Sequence, residues 1–311
     1  MPEDVAPSPL VEVDEPRAAR RGVRLLLKRD DLVHPELVGN KYRKLLLNLA
    51  EARRAGHDTL LTFGGAYSNH LRATARAGRL YGFRTVGVVR GQELAGRPLN
   101  PSLATAAADG MRLHFVERGA YRRLTGHAAR TGRHASEGQV GQEEQEGRAA
   151  GRELVALLAA YGPAYVLPEG GSNAAAVRGC AGLGRELAGR ADVAVVACGT
   201  GGTLAGLAAG FPGEAVGVAV LRGGFLGEEV LRLQHAAYGG RRGRWRVEDG
   251  FHHGGYARTP PELDAFAAGF ARRHGLRPEP VYVAKALYAA LELTDAGAFA
   301  RGSRVAVVIT G

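Results

Sequence analysis

The lysines are the residues whose chemistry stands out in this sequence. Among the 41 lysines and arginines of the 311-residue chain, only four are lysines: Lys28, Lys41, Lys44 and Lys285. Arginine stays protonated in proteins, whereas a desolvated lysine can lose its proton and form a Schiff base with a carbonyl group. A lysine retained in so arginine-rich a sequence therefore suggests chemistry that arginine cannot perform.

Two of these lysines lie three residues apart in the stretch 39–44. Asn40 can cap a helix that the following apolar residues continue, and residues 40–55 are predicted to form that helix. Lys41 and Lys44 would then share one face of its first turns. On this motif alone, a basic and solvated helix start is as good an interpretation as a reactive amine.

A glycine-rich loop at residues 198–203 is the second candidate site. It follows a predicted strand at 193–197 and precedes a predicted helix at 204–209. Glycines let backbone N–H groups turn inward and a helix N-terminus favours an anion, so the loop is predicted to bind a phosphate group. Its residues are Gly199, Thr200, Gly201, Gly202 and Thr203. The loop fits neither a Walker motif nor the dinucleotide spacing well, and a glycine-rich turn without a ligand is the structural alternative.

Two further loops follow predicted strands, where parallel sheets place their ligand sites. Residues 64–70 present Ser68, Asn69 and His70, and residues 168–173 form the other loop. The structural alternative for Ser68 is a helix cap, and the alternative for the second loop is a turn with an asparagine cap. The sequence lacks a Gly-x-Ser-x-Gly elbow, which argues against serine hydrolase chemistry.

A lysine, a phosphate-binding loop and a Ser-Asn loop together suit a phosphorylated aldehyde held covalently by the lysine. This combination points to pyridoxal 5'-phosphate, whose ring acts as an electron sink while the protein positions it. No spacing of His, Cys, Asp or Glu predicts a metal site, since His252 and His253 are adjacent and would point apart in an extended segment.

Predicted strands and helices alternate along the chain, which indicates an α/β protein with parallel sheets covered by helices on both faces. Residues 23–27 are predicted to form an edge strand. Residues 117–150 are poor in apolar side chains, which predicts a long surface segment with room for some helix and a domain boundary. The length of the chain allows two domains.

Composition and charge narrow the function further. The chain is 45% apolar and 23% charged, with a net charge of +10. The arginines are scattered and the dense cluster at 241–246 is predicted to be a solvated loop, so no nucleic-acid partner is expected. Two cysteines, an N-terminus unlike a signal peptide and no apolar run of membrane-spanning length predict a cytoplasmic protein without a membrane partner.

The chain resembles the 1-aminocyclopropane-1-carboxylate deaminase/D-cysteine desulfhydrase family. Four motifs occur in the family's order, at residues 39–44, 64–70, 168–172 and 199–206. Members of this family are fold-type II pyridoxal-phosphate enzymes, relatives of the tryptophan synthase β subunit. The resemblance implies two three-layer α/β domains with parallel sheets and the cofactor in the cleft between them.

The implied domains have defined boundaries. Residues 1–44 and 151–311 would form the larger, pyridoxal-phosphate-binding domain, and residues 45–150 a smaller inserted α/β domain. Many such enzymes are homodimers, which is the expectation here. A small amino acid is the implied substrate.

The resemblance also implies roles for residues near the three loops. Lys41 would bind the cofactor covalently and act as the catalytic base, and Lys44 would bind the phosphate together with residues 199–203. Asn69 would contact the phenolic oxygen of the ring. Ser68 would bind the substrate carboxylate or relay a proton, with Asn69 and His70 as its neighbours at the substrate.

Two tyrosines and a threonine complete the implied site. Tyr256 and Tyr282 match the two active-site tyrosines of the family and would assist proton transfer, although ordinary packing is the alternative for either one alone. Thr310 matches the threonine near the pyridine nitrogen. As a neutral partner, it would leave that nitrogen unprotonated.

Departures from the family pattern bear on the substrate. The deaminases carry glutamate at the position of Val283 and glutamine at that of His70, so both positions favour a desulfhydrase. Desulfhydrases in turn usually carry glutamine at the position of Tyr67, Thr-Gly at those of Val283 and Ala284, and histidine at that of Ile309. The favoured reaction is β-elimination from a small D-amino acid such as D-cysteine, giving pyruvate, ammonia and sulfide. Deamination of the cyclopropane amino acid, a non-catalytic binder of cofactor or amino acid, and a dinucleotide oxidoreductase are the alternatives.

Overall fold

A computed structural model of the protein describes residues 6–37, 39–130 and 142–310. Contacts divide the chain into two compact units. We call residues 45–175 the inserted unit, and the chain up to residue 44 together with the chain from residue 176 onwards the outer unit. The passage from the outer to the inserted unit falls inside a helix that begins at Asn40.

Strands and helices alternate through most of the described residues. The strands are β1 (Leu10–Val13), β2 (Arg24–Lys28), β3 (Thr59–Gly65), β4 (Arg84–Arg90), β5 (Met111–Val116), β6 (Tyr165–Val166), β7 (Val193–Cys198), β8 (Glu214–Ala219), β9 (Arg244–Glu248) and β10 (Arg304–Val308). The helices are α1 (Pro16–Arg20), α2 (Asn40–Arg54), α3 (Asn69–Tyr81), α4 (Pro101–Ala108), α5 (Arg118–Arg130), α6 (Gln142–Tyr161), α7 (Ala174–Leu187), α8 (Gly202–Gly210), α9 (Leu226–Tyr238), α10 (Pro261–His274) and α11 (Val283–Asp295). Crossover helices of this kind return the chain to start the next parallel strand.

The outer unit is built on a six-stranded sheet in the order β1-β2-β10-β7-β8-β9. Only the pair of β1 and β2 is antiparallel. On one face, Phe270 of α10 and Leu287 of α11 pack with Val195 of β7. On the other face, Leu204 of α8 and Leu233 of α9 pack with Val196 of the same strand. Helices on both faces explain why the central strands are continuous apolar runs.

The inserted unit is built on a four-stranded parallel sheet in the order β5-β4-β3-β6. The core on one face includes Leu71 of α3 and Leu103 of α4. The core on the other face includes Tyr121 of α5 and Leu157 of α6. Each sheet therefore buries both of its faces, and the prediction of two three-layer α/β domains with largely parallel sheets is confirmed.

The chain returns to the outer unit between Ala175 and Ala176, later than the boundary at residue 150 that the sequence predicts. The reason is β6, which pairs with β3 so that Tyr165 lies opposite Leu60. The segment leading to and from β6 is thereby part of the inserted sheet.

Two local predictions need correction, and a third becomes more precise. Residues 24–28 form an inner strand, because β1 pairs with β2 and takes the edge. Part of the cluster at 241–246 is strand β9, not a solvated loop, since Trp245 and Val247 pack against the core of the outer unit. The described part of the segment 117–150 is mostly helical, since it holds α5 and the first part of α6, and residues 131–141 lie outside the described part. Among the helices described, none is long and apolar enough to cross a membrane.

Close packing of α7 on α8 yields a stability prediction. A Cβ on Gly206 would lie 2.2 Å from the carbonyl oxygen of Val177 and 2.5 Å from Cβ of Cys180, so the two helices would have to separate. Gly206→Ala is expected to lower the free energy of unfolding by about 1–3 kcal/mol, the usual range for overpacking. Urea denaturation measures this change.

Gly227→Ala in α9 is the matched control, because a Cβ there meets no atom within 4 Å. This substitution should not lower the free energy of unfolding and should raise it by no more than about 1 kcal/mol. Equal effects of the two substitutions would show that the contact between α7 and α8 is not tight.

Candidate active site

The start of α2 is packed against the end of β10. Gly39 precedes the helix with φ of +64°, and a Cβ there would lie 1.6 Å from the carbonyl oxygen of Thr310. Only glycine combines this left-handed backbone with so close an approach. Asn40 is the first helical residue instead of the predicted cap, and its Nδ2 donates to Oγ1 of Thr203 at 2.8 Å. The residue before Lys41 is therefore tied to the glycine-rich loop.

Lys41 has the properties of a reactive amine. Burial, reinforced by the positive charge of Lys44, lowers the pKa of Lys41 to about 7. The residue as a whole stays partly exposed, and within the described residues its Nζ has no hydrogen-bond partner. Burial raises the pKa of the thiol of Cys180, which interacts with Lys41, to about 11, so this thiol stays neutral at pH 7 and adds no compensating charge. The Lys41 amine therefore loses its proton far more readily than an ordinary lysine does.

Arg43 anchors this part of α2. It is buried, and it donates to Asp30 at 2.6 Å and to Glu186 at 2.7 Å. Burial alone would lower the pKa of Arg43, but these carboxylates outweigh it and raise the pKa. Because successive helical residues are 100° apart, a fixed Arg43 also fixes the directions of Lys41 and Lys44. Lys28 pairs with Glu186 as well and completes the network.

The glycine-rich loop follows β7 and leads into α8. Gly201 directly precedes the helix with φ of +73°, and a Cβ there would lie 2.8 Å from Cγ2 of Val230. Gly202 and Thr203, the first residues of α8, are buried. Lys44 interacts electrostatically with the thiol of Cys198, the residue directly before the loop. The loop, a helix N-terminus and a buried lysine thus meet at one place, which is the arrangement that an anion prefers.

The two predicted tyrosines lie together beside this loop. A Cβ on Gly199 would lie 3.5 Å from Cε1 of Tyr282, so the ring lies against the loop. The ring of Tyr256 meets that of Tyr282 edge-on, with centroids 6.2 Å apart. Glu279 accepts hydrogen bonds from the backbone N–H groups of Val281 and Tyr282, at 2.9 and 2.7 Å, and so fixes the start of α11. Lys41, Lys44, residues 199–203, both tyrosines and Thr310 are all residues of the outer unit.

The loop 64–70 belongs to the inserted unit. Ser68 is the N-cap of α3, since its side chain accepts a hydrogen bond from the N–H of Leu71 at 3.3 Å. Asn69 accepts a hydrogen bond from Arg72 of the same helix. Both side chains are partly exposed. The structural alternative for Ser68 is therefore confirmed, while its predicted role toward a substrate stays a prediction.

His70 lies beneath this loop and not at its surface. It is only 2% exposed, and its Nε2 is 2.8 Å from Oγ1 of Thr62. Oγ1 of Thr62 also lies 3.2 Å from the carbonyl oxygen of Leu167, so Thr62 links the ring of His70 to that backbone group. A Cβ on Gly171 would lie 2.6 Å from Cε1 of the ring. The buried ring of His70 thus packs against the loop 168–173 at Gly171. A side chain so buried argues against the predicted direct contact with a substrate.

Sequence reasoning missed the supports of the site. Asp30 and Glu186 lie far from Arg43 in sequence, so no local pattern indicates their pairing. The scarcity of lysine was a signal, but it does not single out a reactive residue. Lys28 and Lys285 are fully buried and donate to backbone carbonyl groups, and neither is placed to react.

Comparison with known proteins identifies the family. The sequence profile of the family described as pyridoxal-phosphate dependent enzyme matches residues 2–311. This chain belongs to the pyridoxal-phosphate-dependent enzymes. The dinucleotide oxidoreductase considered from the glycine-rich loop is therefore wrong.

Individual relatives show to which group of these enzymes the chain belongs. A Thermotoga maritima protein provisionally named 1-aminocyclopropane-1-carboxylate deaminase is 31% identical, over 88% of this chain and 84% of its own. A D-cysteine desulfhydrase of Klebsiella pneumoniae is 30% identical, over 91% of this chain and 84% of its own. The crystal structure of an ACC deaminase homologue superposes with a TM-score of 0.75 at 25% identity, over 98% of this chain and 89% of that one. The chain is thus a member of the deaminase/desulfhydrase family, and the predicted fold type II is confirmed.

The residues of the outer unit fit pyridoxal phosphate. Lys41 supplies an amine whose pKa is lowered to about 7, which suits reaction with the aldehyde. The loop 199–203, at the N-terminus of α8, has the glycine backbone and buried surroundings that suit a phosphate group. Lys44 would contribute a positive charge near that phosphate. Among the described residues, no cluster of His, Cys, Asp or Glu could hold a metal ion.

A pair of glycines tests the phosphate assignment. Gly201→Ala should weaken the binding of pyridoxal phosphate to the apoprotein by more than about tenfold, which is about 1.4 kcal/mol. The added methyl group would press on Val230 and shift the loop. Absorbance titration measures the affinity.

Gly239→Ala is the control for backbone strain. Gly239 has φ of +77°, ends α9 and has no atom within 4 Å of an added Cβ. Its replacement introduces the same strain away from the loop and should leave the affinity within about twofold. If both variants lose affinity equally, strain and not phosphate contact is responsible.

Proposed function

We propose that the protein is a lyase that eliminates the β-substituent of a small D-amino acid such as D-cysteine, releasing pyruvate, ammonia and sulfide. The observation that supports this choice is the absence of a carboxylate at the two positions that the family directs to the ring nitrogen. Thr310 offers a neutral hydroxyl, and Val283 is fully buried at the start of α11. Glu279 lies four residues before Val283, but its carboxylate accepts hydrogen bonds from the backbone N–H groups of Val281 and Tyr282.

Neutral partners favour elimination over ring opening. A ring nitrogen without a carboxylate partner stays unprotonated and is a weaker electron sink. Opening a cyclopropane demands strong electron withdrawal, whereas expulsion of a good leaving group from the β-carbon needs less. The arrangement therefore suits a thiol or chloride substituent.

The residues of the outer unit supply the proton transfers. When bound, the cofactor withdraws electrons from the α-carbon of the substrate. Lys41 Nζ takes the α-proton, for which its pKa of about 7 is suited at neutral pH. The electrons of that C–H bond form a double bond to the β-carbon as the C–S bond breaks. The hydroxyl group of Tyr282 or Tyr256 gives a proton to the departing thiolate, and the enamine that is released takes up water to give pyruvate and ammonia.

Ser68 is proposed to bind the carboxylate of the substrate. Its oxygen accepts a hydrogen bond from the N–H of Leu71, which leaves the hydroxyl hydrogen available to a carboxylate. Asn69 is proposed to contact the phenolic oxygen of the cofactor. His70 is proposed to position the loop through Thr62 and not to touch the substrate. A homodimer and a cytoplasmic location also remain proposals.

Parallel assays of five compounds test the proposed reaction. D-cysteine and β-chloro-D-alanine should release sulfide or chloride together with pyruvate. Their L-enantiomers and 1-aminocyclopropane-1-carboxylate should give little product. Turnover of the cyclopropane compound alone would contradict the proposal. If none of the five compounds is turned over, the protein would be a non-catalytic binder.

Ser68 variants test the substrate contact separately. Ser68→Gly removes the hydroxyl but keeps an acceptable helix cap, at a cost of only a few tenths of a kcal/mol in stability. It should lower kcat/KM by about tenfold or more, the loss of one charge-assisted hydrogen bond, with pyridoxal phosphate still bound. Ser68→Thr keeps the hydroxyl and serves as the control. Equal activity of the glycine variant and the wild type would exclude the contact.

A further inference from the structure

Lys285 is a buried lysine that the proposed chemistry does not use. It lies in the first turn of α11 with no solvent exposure. Its Nζ donates to the carbonyl oxygens of His252 and Gly255, each at 2.8 Å. An ammonium group is compact and carries three donors, so it suits a buried point where two carbonyl oxygens converge better than a planar guanidinium does. One side chain thus joins α11 to the loop before α10.

We call residues 251–258 the Tyr256 loop, and its backbone is strained. Among the described residues, His253 and Ala257 are the only ones other than glycine with positive φ, at +51° and +54°. They flank Gly254 and Gly255, which have φ of +90° and +118°. Side chains other than glycine rarely adopt this region, and such strain persists only where surrounding contacts hold it.

The contacts that hold the loop come from α10 and α11. Besides the two hydrogen bonds from Lys285, the ring of His253 packs edge-on against Tyr288 at 5.0 Å, and its Nδ1 is 3.2 Å from a carboxylate oxygen of Glu262. Inside the loop, the N–H of Gly255 donates to the carbonyl oxygen of His252 at 3.0 Å. Of these contacts, only those from Lys285 fix two points of the backbone at once.

The strained loop presents one side chain. Tyr256 lies between the two strained residues and is 46% exposed. Its ring meets that of Tyr282, which precedes Lys285 by three residues and lies against Gly199 of the glycine-rich loop. Lys285 therefore connects the backbone that carries Tyr256 to the helix turn that carries Tyr282.

We propose that Lys285 is a positioning residue, which holds the Tyr256 loop in the strained conformation that places Tyr256 against Tyr282. The importance of Tyr256 for turnover rests on the proposed function, whereas the hold on the loop does not. This role also explains why lysine, so rare in this chain, is used at position 285.

Hydrogen exchange of the full chain loaded with pyridoxal phosphate tests the hold directly. In Lys285→Met, mass spectrometry should show amide exchange of residues 252–258 accelerated by about tenfold or more, with little change in β7 and α8. Lys285→Gln keeps an N–H donor and should show a smaller acceleration. The glutamine variant also provides the test if the methionine variant does not fold. If the amides of residues 252–258 exchange in either folded variant at the same rate as in the wild type, the proposal is overturned.

Kinetics test whether Lys285 acts through Tyr256. Lys285→Met and Tyr256→Phe should each lower kcat by about tenfold while KM changes much less. The double variant should be no slower than the slower single variant, because both changes disable the same hydroxyl group. Multiplied effects, or a wild-type kcat in Lys285→Met, would contradict the positioning role.

Gln234→Met is the matched control. Gln234 is another fully buried side chain that donates to two carbonyl oxygens, those of Ala205 and Arg242, at 3.0 and 2.8 Å. Its replacement should lower stability without changing exchange in residues 252–258. If exchange in residues 252–258 is accelerated in Gln234→Met as well as in Lys285→Met, Lys285 stabilises the protein only in general, and the proposal is overturned. If exchange responds only to Lys285 and none of the five compounds is consumed, the proposed function fails while the hold on the loop stands.

Discussion

The buried guanidinium group of Arg43 is the interaction on which the outer-unit site depends. Its partners come from distant segments, Asp30 after β2 and Glu186 in the last turn of α7. Removing one partner of such a buried pair typically costs about 3–5 kcal/mol, because a charge is left uncompensated. The pairing fixes the rotation of α2 about its axis. It thereby also fixes the directions in which Lys41 and Lys44 leave the helix.

The sheet order supplies the second constraint. β2, β10 and β7 are neighbours and run parallel, so their carboxyl ends meet at one edge of the sheet. Asp30, Thr310 and the glycine-rich loop follow these three strands in that order. Gly39 allows α2 to approach the carbonyl group of Thr310, and Asn40 reaches Thr203. Asn40, the residue before Lys41, reaches the glycine-rich loop because β2 and β7 flank the same strand, β10.

The local parts of this site could be predicted from the sequence, and the long-range parts could not. Glycines after a β-rich run identify the loop 199–203, and a serine before an apolar run identifies the cap of α3, because both signals lie within a few residues. The partners of Arg43 and the pairing of β6 with β3 depend on contacts between distant segments. His70 shows that a local pattern can also mislead. Its neighbours in sequence suggest a ligand contact, whereas burial against Thr62 and Gly171 decides its place.

The central claim is that Lys41 carries the cofactor, and reduction of the purified holoprotein tests it most directly. Borohydride converts a carbon–nitrogen double bond between lysine and pyridoxal phosphate into a stable amine, which survives proteolysis. The account predicts that mass spectrometry of the peptides finds the added mass on Lys41 alone. The environment supports this, since Lys41 is the partly exposed lysine whereas Lys28, Lys44 and Lys285 are buried. The added mass on any of those three lysines, or on none, would contradict it.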